Sequence, residues 1–190
     1  IFADTINKTP VDYFNSLDIV TVVYDEQAGA FGEPQKLTDT DKRYDSMPDT
    51  VVHDGRQITV WVSNENGDLF TANSTNEIRM RAMKNGTASE TKVLQTGVQR
   101  VLDLEAGILD GAFAAVYVEE GDTTVLNLLQ EDGNPVKLAE GDISQPQFVT
   151  LPDKEAASLV WYQDGNLMVL ESVSGSTQTL IDGNEITIKD

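Results

Sequence analysis

An internal repeat constrains the fold of this chain of 190 residues more than any other feature of its sequence. Four short segments of similar composition end in leucines spaced 57, 44 and 42 residues apart, namely Leu37, Leu94, Leu138 and Leu180. Three apolar segments end in aromatic residues spaced 56 and 44 residues apart, namely Trp61, Tyr117 and Trp161. Because the two landmarks advance in step, the chain is predicted to consist of successive copies of one structural unit.

A third landmark is a proline near the start of a unit. Pro48, within residues 47–52, corresponds to Pro146, within residues 145–149, and the two prolines are 98 residues apart, which is two periods. The pattern predicts first strands at residues 49–53, 98–104 and 147–151 of successive units, and long loops at residues 38–47 and 63–76.

Tight-turn signals divide each unit into four strands. Type I′ hairpins need a positive φ, which Asn, Asp and Gly accept at low cost, and the chain places such pairs at Asp54-Gly55, Asn85-Gly86, Asp110-Gly111 and Asp164-Gly165. Four-stranded antiparallel meanders at this period are typical of β-propeller blades. We therefore predict one all-β domain over residues 1–190, with units at residues 17–40 (partial), 47–95, 98–139 and 145–182.

This count gives about three and a half blades, whereas closed propellers have about four to eight. Three alternatives follow: residues 1–5 and 185–189 complete a fourth blade, the chain is part of a larger propeller, or it forms a homodimer through open sheet edges. Of these we expect association. A β-sandwich is the alternative fold that the number of short strands allows.

The segments at residues 24–37, 44–49 and 58–61 resemble the blades of large bacterial cell-surface β-propeller repeat proteins. The third unit departs from this pattern, because Tyr117 stands in place of tryptophan and the proline is missing. The resemblance implies an extracellular or cell-surface location and a role in binding.

Composition excludes several classes of function. Thirty-two acidic and 13 basic residues give a net charge of −19, which repels phosphate backbones, so nucleic acid is not an expected partner. No apolar run approaches the roughly 20 residues that cross a bilayer, so no membrane insertion is expected. The chain has no cysteine, which excludes disulfides, thiolate zinc sites and cysteine nucleophiles.

Candidate binding residues lie in the two long predicted loops, which should emerge on one face. Hard carboxylate oxygens suit Ca²⁺, the only cofactor that the sequence suggests, and the candidate ligands are Asp39, Asp41, Asp45 and Asp68. Aromatic and amide side chains suit a glycan, and the candidates are Tyr44, Phe70, Asn64 and Asn66. Solvated turn residues are the alternative explanation for both sets.

We predict no catalytic residue. The expected function is that of a non-catalytic binding or scaffolding module of a secreted or cell-surface protein, one that recognises protein or glycan. The alternative is a fragment of a propeller-type glycoside hydrolase, sialidase-like or similar, whose catalytic residues lie partly outside this sequence.

Overall fold

The computed structural model describes residues 17–38, 43–65, 75–132, 134–150 and 156–183. Every regular element in these residues is a β-strand, so the all-β prediction is confirmed. The described residues begin with a bulged hairpin, called here the opening hairpin, whose strands are β1 (Val20–Thr21), β2 (Tyr24–Asp25), β3 (Ala30–Phe31) and β4 (Gln35–Lys36). In it β1 pairs with β4 and β2 pairs with β3.

Three larger antiparallel sheets follow the opening hairpin. Sheet I contains β5 (Tyr44–His53), β6 (Arg56–Asn64), β7 (Asn76–Lys84), β8 (Thr87–Ala88) and β9 (Lys92–Val98). Sheet II contains β10 (Val101–Leu109), β11 (Ala112–Glu120), β12 (Thr124–Gln130) and β13 (Val136–Gly141). Sheet III contains β14 (Ile143–Thr150), β15 (Ala157–Gln163), β16 (Asn166–Leu170) and β17 (Gln178–Ile181). Strands pair in chain order in sheets II and III, and in sheet I both β8 and β9 pair with β7.

The predicted hairpin turns form where the sequence places them. Asp54, Asn85, Asp110 and Asp164 have φ of 49°, 52°, 53° and 51°, and each precedes a glycine that also has positive φ. Two consecutive residues at positive φ are the signature of a type I′ turn, whose twist matches that of the flanking strands. The four turns therefore fix the register of their hairpins.

The prolines mark β-bulges and do not end strands. Met47 and Gln145, the residues before the two prolines, have φ of 51° and 53°, and the pairing register shifts across each of them. A bulge absorbs the proline, which lacks a donor, and lets the ladder continue. Strands β5 and β14 therefore begin at Tyr44 and Ile143, so the predicted first strands at residues 49–53 and 147–151 were too short.

Strand β10 of sheet II, in the third predicted unit, also has a shift in its pairing register, between Val101 and Asp103, although it has no proline there. The predicted first strand at residues 98–104 was displaced, because Val98 belongs to β9 and pairs with Asn76 of sheet I. The predicted loop at residues 38–47 likewise ends earlier than expected, since β5 already begins at Tyr44.

The sheets stack face to face, and the second strands of sheets I and II are buried on both sides. On β11, Phe113, Ala115 and Tyr117 join a core cluster with sheet I, whereas Ala114, Val116 and Val118 join a cluster with sheet III. Alternation of side chains along a strand makes this double burial possible. Each interior apolar side chain stabilises the stack by about 1.5 to 3 kcal/mol.

The three repeat aromatics all point toward the preceding unit. Trp61 packs against Ile19 and Leu37 beside the opening hairpin, Tyr117 joins the cluster with sheet I, and Trp161 joins the cluster with sheet II. Their exposed fractions are 1%, 3% and 0%. The predicted packing role of these aromatics is confirmed.

The first strands of the three sheets, β5, β10 and β14, lie next to one another along one side of the stack. Where β10 meets β14, a Cβ added to Gly107 would lie 2.1 Å from Cγ of Phe148, so only glycine lets this ring pack against the strand. Where β10 meets β5, the backbone N–H of Ala106 donates to Oδ2 of Asp49 at 2.7 Å. These contacts hold the exposed edges of the first strands together.

Truncating a repeat aromatic should remove much of the packing between two sheets. We expect Trp61→Ala or Trp161→Ala to lower the free energy of unfolding by about 3 to 5 kcal/mol, measured by urea denaturation. Val52→Ala, at a strand position with an exposed side chain, is the matched control and should change stability by less than about 0.5 kcal/mol. Tryptophan variants as stable as the parent would show that sheet stacking does not depend on these side chains.

Candidate functional site

A pocket of about 220 Å³ opens between sheets I and II at one end of the strands. We call it the Tyr44 pocket. One wall is the start of β5, with Tyr44, Ser46 and Met47, and the other is the start of β10 with the residue before it, Arg100 to Leu102. It is smaller than the roughly 300 to 1,000 Å³ of pockets for drug-sized ligands, so it suits a single ring or side chain.

The pocket lies at the end of sheet I where the two predicted ligand loops leave the strands. Arg43, in the first of these loops, bonds to the described start of the second. Its Nε donates to Ser63 Oγ at 2.9 Å, and its Nη1 donates to Glu65 at 2.5 Å. Its Nη2 also donates to Glu77 at 2.8 Å. Three partners hold this guanidinium, so the two chain segments are fixed side by side.

The wall formed by the connection between β9 and β10 is held by a chain of hydrogen bonds. The Asn64 amide donates to Asn76 Oδ1 at 2.8 Å, and the Asn76 amide donates to the Gln99 carbonyl at 2.6 Å. The Gln99 N–H donates to Glu119 Oε1 at 2.7 Å. This wall is therefore preorganised, which lowers the entropy lost when a ligand binds.

Arg100 supplies the positive charge at the rim of this pocket. Its Nη1 lies 2.9 Å from Glu120 Oε2, and its backbone carbonyl accepts from the Glu120 N–H at 2.8 Å. Both side chains are nearly half exposed. The guanidinium offers hydrogen-bond donors and the paired carboxylate offers acceptors. A ligand with adjacent hydroxyl groups, each of which both donates and accepts, could bond to both.

Ser46 lines the pocket, and its hydroxyl has no protein partner. Its Oγ is buried and makes no hydrogen bond within the part of the chain that the structure describes. Buried polar atoms are nearly always paired, so such an atom calls for an explanation. Because this oxygen has almost no surface open to the pocket, a ligand that fills the pocket does not reach it.

Among the predicted ligand residues, Tyr44 lines the pocket. Asn64 is fully buried at the end of β6, where it supports the pocket wall through Asn76. Phe70 and Asn66 lie outside the described residues. The sequence did not indicate Ser46 or Arg100, because the bulge that turns Ser46 toward sheet II is visible only in the pairing register.

Among the predicted calcium ligands, Asp45 is buried. Its Oδ1 accepts from Trp61 Nε1 at 3.1 Å and from Ser63 Oγ at 2.6 Å, so it orients the repeat aromatic of sheet I. Asp39, Asp41 and Asp68 lie outside the described residues. No group of three or more His, Asp or Glu side chains suited to a metal ion occurs within the described ranges, and Ca²⁺ binding stays a prediction.

A second cleft of about 420 Å³ lies at the opposite end of sheets I and II, next to His53. Arg56, which lines this cleft, already has a partner, because its Nη2 lies 3.3 Å from Glu131. Lys92 lies outside the lining and pairs with Asp132 of the lining, with Nζ 2.6 Å from the carboxylate. Both pairs join sheet I to the turn after β12. This cleft is better explained as an ion-paired seam between sheets than as a ligand site.

Three carboxyl groups meet where β5 and β10 adjoin. Burial, the nearby carboxylates of Asp49 and Asp103, and a hydrogen bond with Asp49 together raise the pKa of Glu105 to about 7. Burial also raises the pKa of Asp103, although the Leu104 N–H opposes the change. Glu105 therefore titrates near neutral pH.

This cluster was missed at the level of sequence, although a signal for it existed. Asp49 and Asp103 each follow the bulge in their strand, so they occupy equivalent positions of neighbouring units. The chain has 32 acidic residues, so the presence of carboxylates does not by itself indicate a cluster. The position just after a bulge is what distinguishes Asp49 and Asp103 from the solvated carboxylates.

The proton on Glu105 makes stability depend on pH. A carboxyl whose pKa is raised by folding contributes stability below its unfolded value of 4.5 and loses it as pH rises through about 7. We expect the free energy of unfolding to fall between about pH 5 and pH 8, with Glu105 accounting for about 1 kcal/mol after allowance for its partial exposure. Urea denaturation across this range measures the effect.

Glu105→Gln should flatten this pH dependence, because the amide resembles the protonated acid in shape. Glu90→Gln, at an exposed position outside the cluster, is the matched control and should leave the slope unchanged. A parent slope that persists in Glu105→Gln would show that Glu105 is not the group that titrates.

No protein-family model matches the chain, and no curated protein matches its sequence. Within the described ranges, no helix is long and apolar enough to span a membrane. Fold and site together define an all-β protein of stacked antiparallel sheets with a preorganised pocket between two of them.

Proposed function

We propose that this chain is a non-catalytic binding module of β-propeller type, belonging to a secreted or cell-surface protein, that recognises a protein or a glycan at the Tyr44 pocket. The observation that carries the proposal is the pocket itself. It combines an aromatic side chain and a guanidinium–carboxylate pair on a wall held by hydrogen bonds.

The propeller part of the proposal rests on three features of the stack. Four-stranded units follow one another in chain order, each sheet packs its faces against its neighbours, and the first strands adjoin along one side. In a propeller the first strands surround the central axis, and ligands bind on one end face. The Tyr44 pocket lies at such an end, between two neighbouring units.

The chemistry of the pocket suits an uncharged ligand. The net charge of −19 repels anions at long range, and Arg100, the one cation among the described residues that line the pocket, is paired with Glu120. Met47, Val62 and Leu102 supply apolar surface beside the Tyr44 ring. A neutral sugar ring, with one apolar face and several hydroxyls, matches this mixture, and so does a small peptide side chain with its backbone amide.

A glycoside hydrolase is a weaker candidate, because its two carboxyl groups must lie about 5 to 5.5 Å apart in retaining enzymes and about 6.5 to 9.5 Å apart in inverting ones. Glu105 has the raised pKa of a general acid, but it lies on β10 where that strand adjoins β5, beside an Asp49 carboxylate that already accepts from the Ala106 N–H. The acidic cluster therefore favours a structural role.

Binding can be tested with an array of immobilised neutral and acidic oligosaccharides and, in parallel, an array of short peptides. We expect binding to one class of neutral probe, with Tyr44→Ala and Leu102→Ser weakening it about tenfold or more. Val52→Ser, on an exposed side chain outside the pocket, should bind like the parent. Mass spectrometry of the bound sugars should show them unshortened.

Two results would contradict this proposal. Binding that survives both pocket variants would place the site elsewhere, and shortened sugars would make the protein a hydrolase. Circular dichroism of each variant distinguishes a lost ligand contact from lost structure.

A further inference from the structure

The stack has a direction, which the repeat positions define. Trp61, Tyr117 and Trp161 face the preceding unit. The residues on either side of each aromatic face the following unit: Val60 and Val62 in sheet I pack toward sheet II, and Val116 and Val118 in sheet II pack toward sheet III. Each sheet thus has a surface that receives the next unit.

In sheet III the corresponding positions are Val160 and Tyr162. Tyr162 is 46% exposed, and its pairing partner Leu167 is itself paired with Ile181, which is 44% exposed. Directly paired residues project from the same side of a sheet. At the Tyr162 end, the receiving surface of sheet III therefore exposes apolar side chains where sheets I and II bury theirs, whereas Val169, paired with Val160 on the same side, is 3% exposed.

The opening hairpin presents apolar side chains at the other end of the stack. Ile19 faces Trp61 in the core, so alternation directs Val20 and Val22 away from it. Beyond them, the Tyr24 and Phe31 rings make an edge-to-face pair at 5.1 Å, and Phe31 is 72% exposed. A pair of aromatic rings in solvent is a costly arrangement that a partner surface would relieve.

Exposed apolar side chains are concentrated at these two ends. Of the 12 large hydrophobic side chains exposed in the described residues, eight lie at the ends of the stack, namely Val20, Val22, Val23, Tyr24, Phe31, Tyr162, Leu180 and Ile181. In a chain with a net charge of −19, this distribution leaves apolar side chains exposed where a neighbouring unit would sit.

We propose that two copies of this chain associate head to tail, with the opening hairpin of each copy packed on the receiving surface of sheet III of the other. The pair has two-fold symmetry and two identical contacts, so it closes without leaving an apolar end. Each copy contributes three sheets and a hairpin, and two copies give a ring of about seven units, within the range of about four to eight for closed propellers. The ring size rests on the propeller architecture proposed above, whereas the contact surfaces do not depend on the pocket or its ligand.

Charge makes this association depend on salt. Two chains of −19 repel each other, and dissolved ions screen that repulsion beyond about 10 Å at 0.1 M. Apolar contact is not weakened by such screening. The dimer should therefore be favoured by added sodium chloride, the opposite of an interface built on ion pairs.

Sedimentation velocity of the full chain over a wide concentration range, in low and high salt, tests the proposal. We expect a species of twice 20.8 kDa that becomes more populated with salt. Tyr162→Ser and Phe31→Ser should each weaken dimerisation about tenfold or more, because each removes an exposed ring from both contacts. Val52→Ser, also highly exposed but away from the two ends, should dimerise like the parent.

Mixing the two variants identifies the geometry. A dimer of one Tyr162→Ser chain and one Phe31→Ser chain has one contact with both rings intact, so the mixture should dimerise more strongly than either variant alone. The proposal would be overturned if the chain stayed monomeric under all conditions, or if either substitution left the strength of dimerisation unchanged. No gain on mixing would overturn the head-to-tail arrangement, since a contact between like ends cannot be restored in this way.

These results are separable from those for the pocket. Both variants leave the Tyr44 pocket intact, so the array measurement on Tyr162→Ser and Phe31→Ser reports on the binding proposal alone, whatever the state of association.

Discussion

The structure depends on one constraint: the second strands of sheets I and II are apolar on both faces and have to be covered on both sides. Phe113 to Val118 illustrate it, since alternate side chains enter two different core clusters. One twisted sheet cannot satisfy such a strand, so each unit is stable only beside its neighbours. The direction of stacking follows, because every repeat aromatic points toward the preceding unit.

The same stacking creates the features that bear on function. Placing first strands side by side brings Asp49 against β10, where it accepts from the Ala106 N–H and where Glu105 keeps a proton near neutral pH. The bulge at Met47 and Pro48 lies at one end of the gap between two sheets, where Met47 lines the pocket. The Tyr44 pocket occupies that gap, so it is a consequence of the repeat rather than an addition to it.

Local signals in the sequence predicted local structure well. The Asp-Gly and Asn-Gly pairs gave four turns at positive φ, because turn chemistry depends on neighbouring residues alone. The bulges were missed, since the first strands were predicted to begin after the prolines, and the ladders instead continue across them. Contacts between units could not be predicted either: the role of Asn76 depends on Gln99 of the next connection, and that of Gly107 depends on Phe148.

The contact between Gly107 and Phe148 tests the stacked arrangement most directly, because the two residues lie on the first strands of different sheets. A double-mutant cycle measured by urea denaturation isolates their interaction. Gly107→Ala should cost about 1 to 3 kcal/mol in the parent, where the new methyl group meets the ring. In a Phe148→Ala background the same substitution should cost little or should stabilise the strand. An equal cost in both backgrounds would contradict the stacking of sheet II on sheet III described here.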